Sequence, residues 1–177
     1  MPMITRVHDY YACTTGGLAR WLGPVALLCM RIWVALAFWQ AGLVKLADPA
    51  GTRFLFESMY HVPLLPPDFA AGLGTWIELV VPWFVGLGLL GRPFALFLFV
   101  YNIIAFTSFP ALWPHGFWHG LFNATDFADH KVWGLMLMAV IAWGPGALSL
   151  DALIGWAWRR WRGAADPLHS SLAMGDP

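Results

Sequence analysis

Two ionisable residues sit where charge is hardest to tolerate. Arg31 lies within LLCMRIWVALAFW and Glu78 within GTWIELVVPW, both inside long apolar runs. Hydrocarbon makes an ionised side chain costly, so such a residue marks a functional site or is paired. Arg31 falls nine residues into an apolar run at about 22–44, and Glu78 about eight into one at about 70–90. With antiparallel runs and a rise of about 1.5 Å per residue, they stand about 13 Å and about 18 Å above one common boundary. The spacing predicts a buried Arg31–Glu78 ion pair.

At 100° per residue, Gly42 and Lys45 share the Arg31 stripe, whereas Gln40 points to the opposite face. Pro82 and Gly86 leave space beside Glu78, and Asn102, with Ala95 and Ala105 on its own face, is placed at nearly the depth of Arg31. Arg31, Lys45, Glu78 and Asn102 therefore outline a small polar pocket inside a bundle. Arg and Asn donate to carbonyl oxygens and Glu exchanges protons, so the pocket suits a quinone headgroup or proton passage. The same network also serves to fix helix register, as polar and small residues do in membrane bundles.

A second set lies further on. His115 and His119 have i, i+4 spacing in PHGFWHG, and Asp126, Asp129 and His130 follow. On a helix the histidines would share a face, and with Asp126 they form a candidate divalent metal site, although glycines flank the pair. Asp129 reads as an N-cap or first-turn acid of the next helix, with His130 turned into the mouth of the bundle. No phosphate loop, HExxH, GxSxG or dinucleotide fingerprint occurs. Cys13 and Cys29 make no CxxC pair and read as structural. Aromatic runs such as WVALAFW and FALFLFVY read as lipid-facing or packing surface.

The elements that must position these residues follow from composition. Of 177 residues, 59% are hydrophobic and 11% charged, with zero net charge and twelve Trp. A soluble domain carries about 25% charge, so the chain reads as an integral membrane protein, and its neutrality excludes a nucleic-acid partner. Four apolar spans are expected at about 22–44, 70–90, 93–113 and 131–148, the second and third joined by a tight turn at Gly91-Arg92. The fold class is all-α: an antiparallel four-helix membrane bundle. The first span is too long for a signal-peptide core and is read as retained.

Residues 1–20 read as a cytoplasmic tail, 21–150 as the four-span domain and 151–177 as an interfacial segment with a disordered end. The segment 46–69, broken by Pro63, Pro66 and Pro67, is expected to fold over the outer mouth as a cap. Gly144-Pro145-Gly146 should stop the fourth helix, with Ser149 as N-cap of the next. Trp156, Trp158 and Trp161 mixed with arginines suit an inner-leaflet interfacial helix. With both termini inside, Arg6, Arg20, Arg92, Arg159, Arg160 and Arg162 are cytoplasmic against Lys45, Arg53 and Lys131 outside, which the positive-inside bias favours.

Arg31, AGLVKL at 41–46, VPLLPPDFAA at 62–71, Glu78, GLGLLGR at 86–92, DHKVWGLML at 129–137 and GPGALSLD at 144–151 together resemble the DoxX family of four-helix membrane proteins. The similarity covers about residues 30–155, with Arg31, Lys45 and Glu78 at the family's polar positions. The resemblance implies a bacterial inner-membrane, multi-pass protein serving a redox or stress-response system. The family takes its name from a relative associated with a thiosulfate:quinone oxidoreductase. Lacking haem, flavin or Cys-pair motifs of its own, the chain would act as a partner-dependent oxidoreductase subunit, using a quinone or a protein partner that carries the redox cofactor. The alternative is a non-catalytic scaffold or transport partner for a peptide- or metal-handling system.

Overall fold

The computed structural model describes residues 2–165, and every regular element in them is helical. Helix α1 runs Pro2–Ala47, α2 Pro49–Ser58, α3 Pro67–Leu87 and α4 Gly91–Thr107; a 3₁₀ turn at Pro110–Leu112 leads to α5 Phe117–Phe122, α6 Ala128–Trp143 and α7 Leu150–Ala165. The residues expected as an N-terminal tail continue α1 without a break, because no stop signal precedes the apolar run and Pro24 is accommodated inside the helix. The expected disordered end, 166–177, lies outside the described residues.

Helix pairs α1/α3, α3/α4, α4/α6 and α6/α1 touch and close a ring of four. Thr15–Ala47 and Pro67–Leu87 are long and apolar enough to cross a membrane, while Gly91–Thr107 is apolar but shorter. Val34, Phe38, Val81, Val85, Ala95, Leu98, Leu137 and Val140 form the core between them. Outward faces stay apolar, with Trp33, Trp76, Trp83, Phe97 and Leu135 all exposed, as hydrocarbon solvent would require.

Local chemistry explains the breaks. Asp48 accepts from Gly51 N–H at 2.8 Å and Pro49 opens α2, so the chain turns immediately after Ala47. The 46–69 segment is thus a helix plus loop rather than a plain loop, and it packs on α3. The α3/α4 turn falls at 88–90, earlier than the predicted Gly91-Arg92. Gly88 takes the left-handed cap at φ 68°, with Leu89 N–H returning to the Phe84 carbonyl at 2.9 Å. Helix α4 ends at Thr107, short of the predicted 113, where Pro110 follows. Gly144, at φ 83°, ends α6 as expected, and Ser149 Oγ accepts from Ala152 N–H at 3.2 Å, the predicted cap of α7.

Asp151 joins α7 to the α3/α4 turn. Its carboxylate accepts from Leu90 and Gly91 N–H, both at 2.8 Å, at the open end of α4, and its own N–H donates to the Gly88 carbonyl at 3.0 Å. Asp151→Ala strips two N–H groups of their acceptor. We expect a loss of about 1–2 kcal/mol, read as a lowered midpoint of thermal unfolding in detergent.

Candidate functional site

Close approach of α1 and α3 sets the register of the site. A Cβ on Gly42 would meet Glu78 backbone and Cβ at 3.0 Å, and one on Gly86 would meet Ala35 Cβ at 3.2 Å. Residue 42 therefore lies beside 78 and residue 35 beside 86, which places Lys45 one turn from Glu78. Lys45 Nζ forms an ion pair and hydrogen bond with Glu78 Oε2, and Tyr101 Oη donates to Glu78 Oε1 at 2.8 Å. Glu78 is 4% exposed, so three helices enclose this carboxylate.

The expected Arg31–Glu78 pair is not formed. In the observed register residue 31 faces the α3 C-terminus, about 17 Å along the helix from the Glu78 level at about 1.5 Å per residue. Run boundaries gave an offset of only about 5 Å at about 1.5 Å per residue, whereas small-residue contacts decide the real one. Arg31, fully buried, donates from Nη1 to the Gly86 carbonyl at 3.2 Å and from Nη2 to the Leu148 carbonyl. A methyl at position 88 would overlap Nη1, so Gly88 is required both for its φ and for this guanidinium. Arg31 is thus a strut near α7 and leaves the predicted pocket.

Asn102 also departs from its assigned level. It lies near the Glu78 end, where Nδ2 donates to the His130 carbonyl at 2.9 Å and Oδ1 meets His130 Nδ1 at 2.8 Å. Asp129 is exposed in the first turn of α6; the N-cap position is Phe127 at φ 36°, so Asp129 is a first-turn acid and not the cap.

Lys45, Glu78 and His130 line one cavity of about 280 Å³. Its remaining polar lining is Tyr60, Tyr101 and Ser108, with apolar walls from Phe38, Phe56, Ile77 and Trp133. Sequence reasoning missed all three hydroxyl residues. Tyr101 hid in the aromatic run FALFLFVY, and Tyr60 and Ser108 lay outside the expected pocket; only the four-residue spacing of Tyr101 and Ala105, on the Asn102 side of α4, hinted at more than packing. The hydroxyl of Ser108 is buried and has no hydrogen-bond partner. Tyr60 stacks between Phe56 and Phe109, with centroids at 4.6 and 4.8 Å. Burial, and after it the charge of Glu78, push the Tyr60 hydroxyl above its usual pKa, which keeps it a neutral donor.

The second predicted set does not assemble. His115 and His119 are neighbours, with ring centroids 5.5 Å apart, but α5 starts only at Phe117, so the two share no helix. Asp126 turns to Asn123 and Thr125 instead. No group of three or more His, Cys, Asp or Glu suited to a metal ion occurs among the described residues. Lys131 Nζ donates to the Gly120 carbonyl at 2.7 Å and to that of Asn123, tying this segment to α6.

Comparison with known proteins gives a family and a relative. A DoxX family model matches residues 26–111, which carry Arg31, Lys45, Glu78, Tyr101, Asn102 and Ser108 but stop before His130 and the GPGALSLD stretch. Over 137 residues the chain is 31% identical to an uncharacterized membrane protein of Mycobacterium tuberculosis, covering 73% of this chain and 81% of that relative. No solved structure matches.

Proposed function

This chain belongs to the DoxX family of membrane proteins, and from that premise we propose that it is a multi-pass inner-membrane subunit of a redox or stress-response system whose Glu78 cavity binds a quinone headgroup. All four ring helices would cross the bilayer, with both termini cytoplasmic. The Arg31 end, which holds Arg92 and α7, would face the cytoplasm; the Lys45 end, with Arg53 and Lys131, would face outward under the 46–69 cap. Helix α7 would lie in the inner interface, its Trp156 and Trp158 each under an arginine.

The observation that carries the ligand assignment is the cavity that brings Ser108, whose buried hydroxyl has no protein partner, into one lining with the Lys45–Glu78 pair. A buried polar group without a partner costs about 1–3 kcal/mol, and a ligand oxygen would satisfy it. Apolar walls with a few convergent polar groups suit a planar ring bearing acceptor oxygens. A bound quinone supplies two-electron, two-proton redox chemistry. Tyr60 and Ser108 would hold its oxygens as donors, with the Lys45–Glu78 ion pair in the same lining. Electrons would come from a protein partner carrying its own redox cofactor.

Quantitative mass spectrometry of the organic extract from gently purified protein tests this. Near-stoichiometric quinone is expected in the wild type and loss of most of it in Glu78→Gln. Ser108→Ala, which removes no protein hydrogen bond, should lower retention several-fold at unchanged stability. Background quinone in all three would leave the scaffold reading in its place.

A further inference from the structure

The Asn102–His130 pair determines which nitrogen of His130 is free. Asn102 is 2% exposed, and its Nδ2 donates to a backbone carbonyl that can only accept, so the orientation of the amide is settled. Oδ1 then faces His130 Nδ1 at 2.8 Å, and because Oδ1 can also only accept, Nδ1 must carry the proton. In the neutral ring Nε2 is left as a bare lone pair. Trp133 at 4.9 Å and Phe106 at 5.8 Å between ring centroids confine the imidazole. His130 stands between the Glu78 cavity and a second one walled by Phe99, Phe106 and Met138, and with Nδ1 committed to Asn102 the one polar ring atom it can offer to either is Nε2. His130 thus shares a cavity with the Lys45–Glu78 pair and has one unprotonated ring nitrogen to offer.

Building on the reading of this cavity as a ligand site, we infer that His130 Nε2 is its second proton-exchanging group and that Asn102 is the positioning residue that keeps the Nε2 lone pair available. A proton leaving a ligand hydroxyl bonds to Nε2; Nδ1 keeps its own proton on Asn102, and the ring becomes the imidazolium. The reverse transfer returns the proton to a ligand oxygen and restores the same neutral tautomer. Lys45 across the cavity and Asp129 on α6 are the charged groups that act on the ring.

The test is nitrogen NMR of the full chain, labelled at histidine and held in lipid nanodiscs, with the His130 signals identified by their loss in His130→Gln. Ligand-free wild type should show protonated Nδ1 and bare Nε2. Asn102→Leu should release the ring to a mixture of tautomers, whereas Asn102→Asp, which retains an acceptor, should preserve the Nδ1 proton. Adding decylubiquinol, the hydroxyl-bearing reduced form, should shift Nε2 and leave Nδ1 unmoved. Protonated Nε2 in the ligand-free wild type, or an unchanged tautomer in Asn102→Leu, would overturn the inference. So would an unmoved Nε2 signal in protein that retains the quinol at full stoichiometry. Failure to retain any quinone would instead sink the quinone reading, and the ligand-free tautomer would still decide the role of Asn102.

Discussion

Lys45→Met is expected to destabilise the protein by about 3–5 kcal/mol, because it strands a buried carboxylate. Glu78 would keep only the Tyr101 hydroxyl as partner, in a side chain that is 5% exposed. Glu78→Gln should cost less. The glutamine still accepts from Tyr101, and the Lys45 side chain, 19% exposed, has a route for its ammonium toward the surface. This asymmetry follows from which partner is more deeply buried, and thermal unfolding of the two single variants in the same detergent measures it. Lys45→Met combined with Glu78→Gln should recover most of the lost stability, since neither charge is then stranded. Quinone retention should stay low in that double variant. A folded double variant that retains quinone at the wild-type level would make the pair a packing device and nothing more.

Arg31→Met is expected to lower stability by about 2–5 kcal/mol while leaving quinone retention per folded molecule unchanged. Two carbonyls, of Gly86 and Leu148, lose the donors that the fully buried guanidinium gives them, each at about 1–3 kcal/mol. Arg31→Lys should recover only part, because one ammonium cannot reproduce a planar fork aimed at two acceptors on different segments. Retention is the discriminating readout, since Arg31 does not line the Glu78 cavity. Loss of quinone at an unchanged unfolding midpoint would return Arg31 to the ligand site that its sequence position suggested.

These two arginine and lysine variants mark where sequence reasoning succeeded and where it failed. Lys45 and Gly42 share a stripe because 100° per residue puts them there in any helix, and the glycine does lie against Glu78. The stop at Gly144-Pro145-Gly146 and the Ser149 cap depend on neighbours within a few residues, so they too were legible. The partner of Glu78 was not. Choosing Lys45 over Arg31 requires the longitudinal offset of α1 against α3, and that offset comes from Gly42 against Glu78 and Ala35 against Gly86, contacts that single-helix periodicity does not contain. The acceptors of Arg31 are backbone carbonyls, which carry no residue identity and leave no trace in a sequence.

Composition and hydropathy alone determined that this chain is a helical membrane protein, and motif order determined its family, because the solvation cost of apolar surface and of helix ends is paid locally, residue by residue. Tertiary structure alone decided what surrounds Glu78: it kept Arg31 away, joined Lys45 and Tyr101 to the carboxylate, and brought Ser108 and His130 to the same cavity. The physical reason is that a buried charge takes whichever partner the helix register brings within reach, and register is set by how closely small residues let two backbones approach.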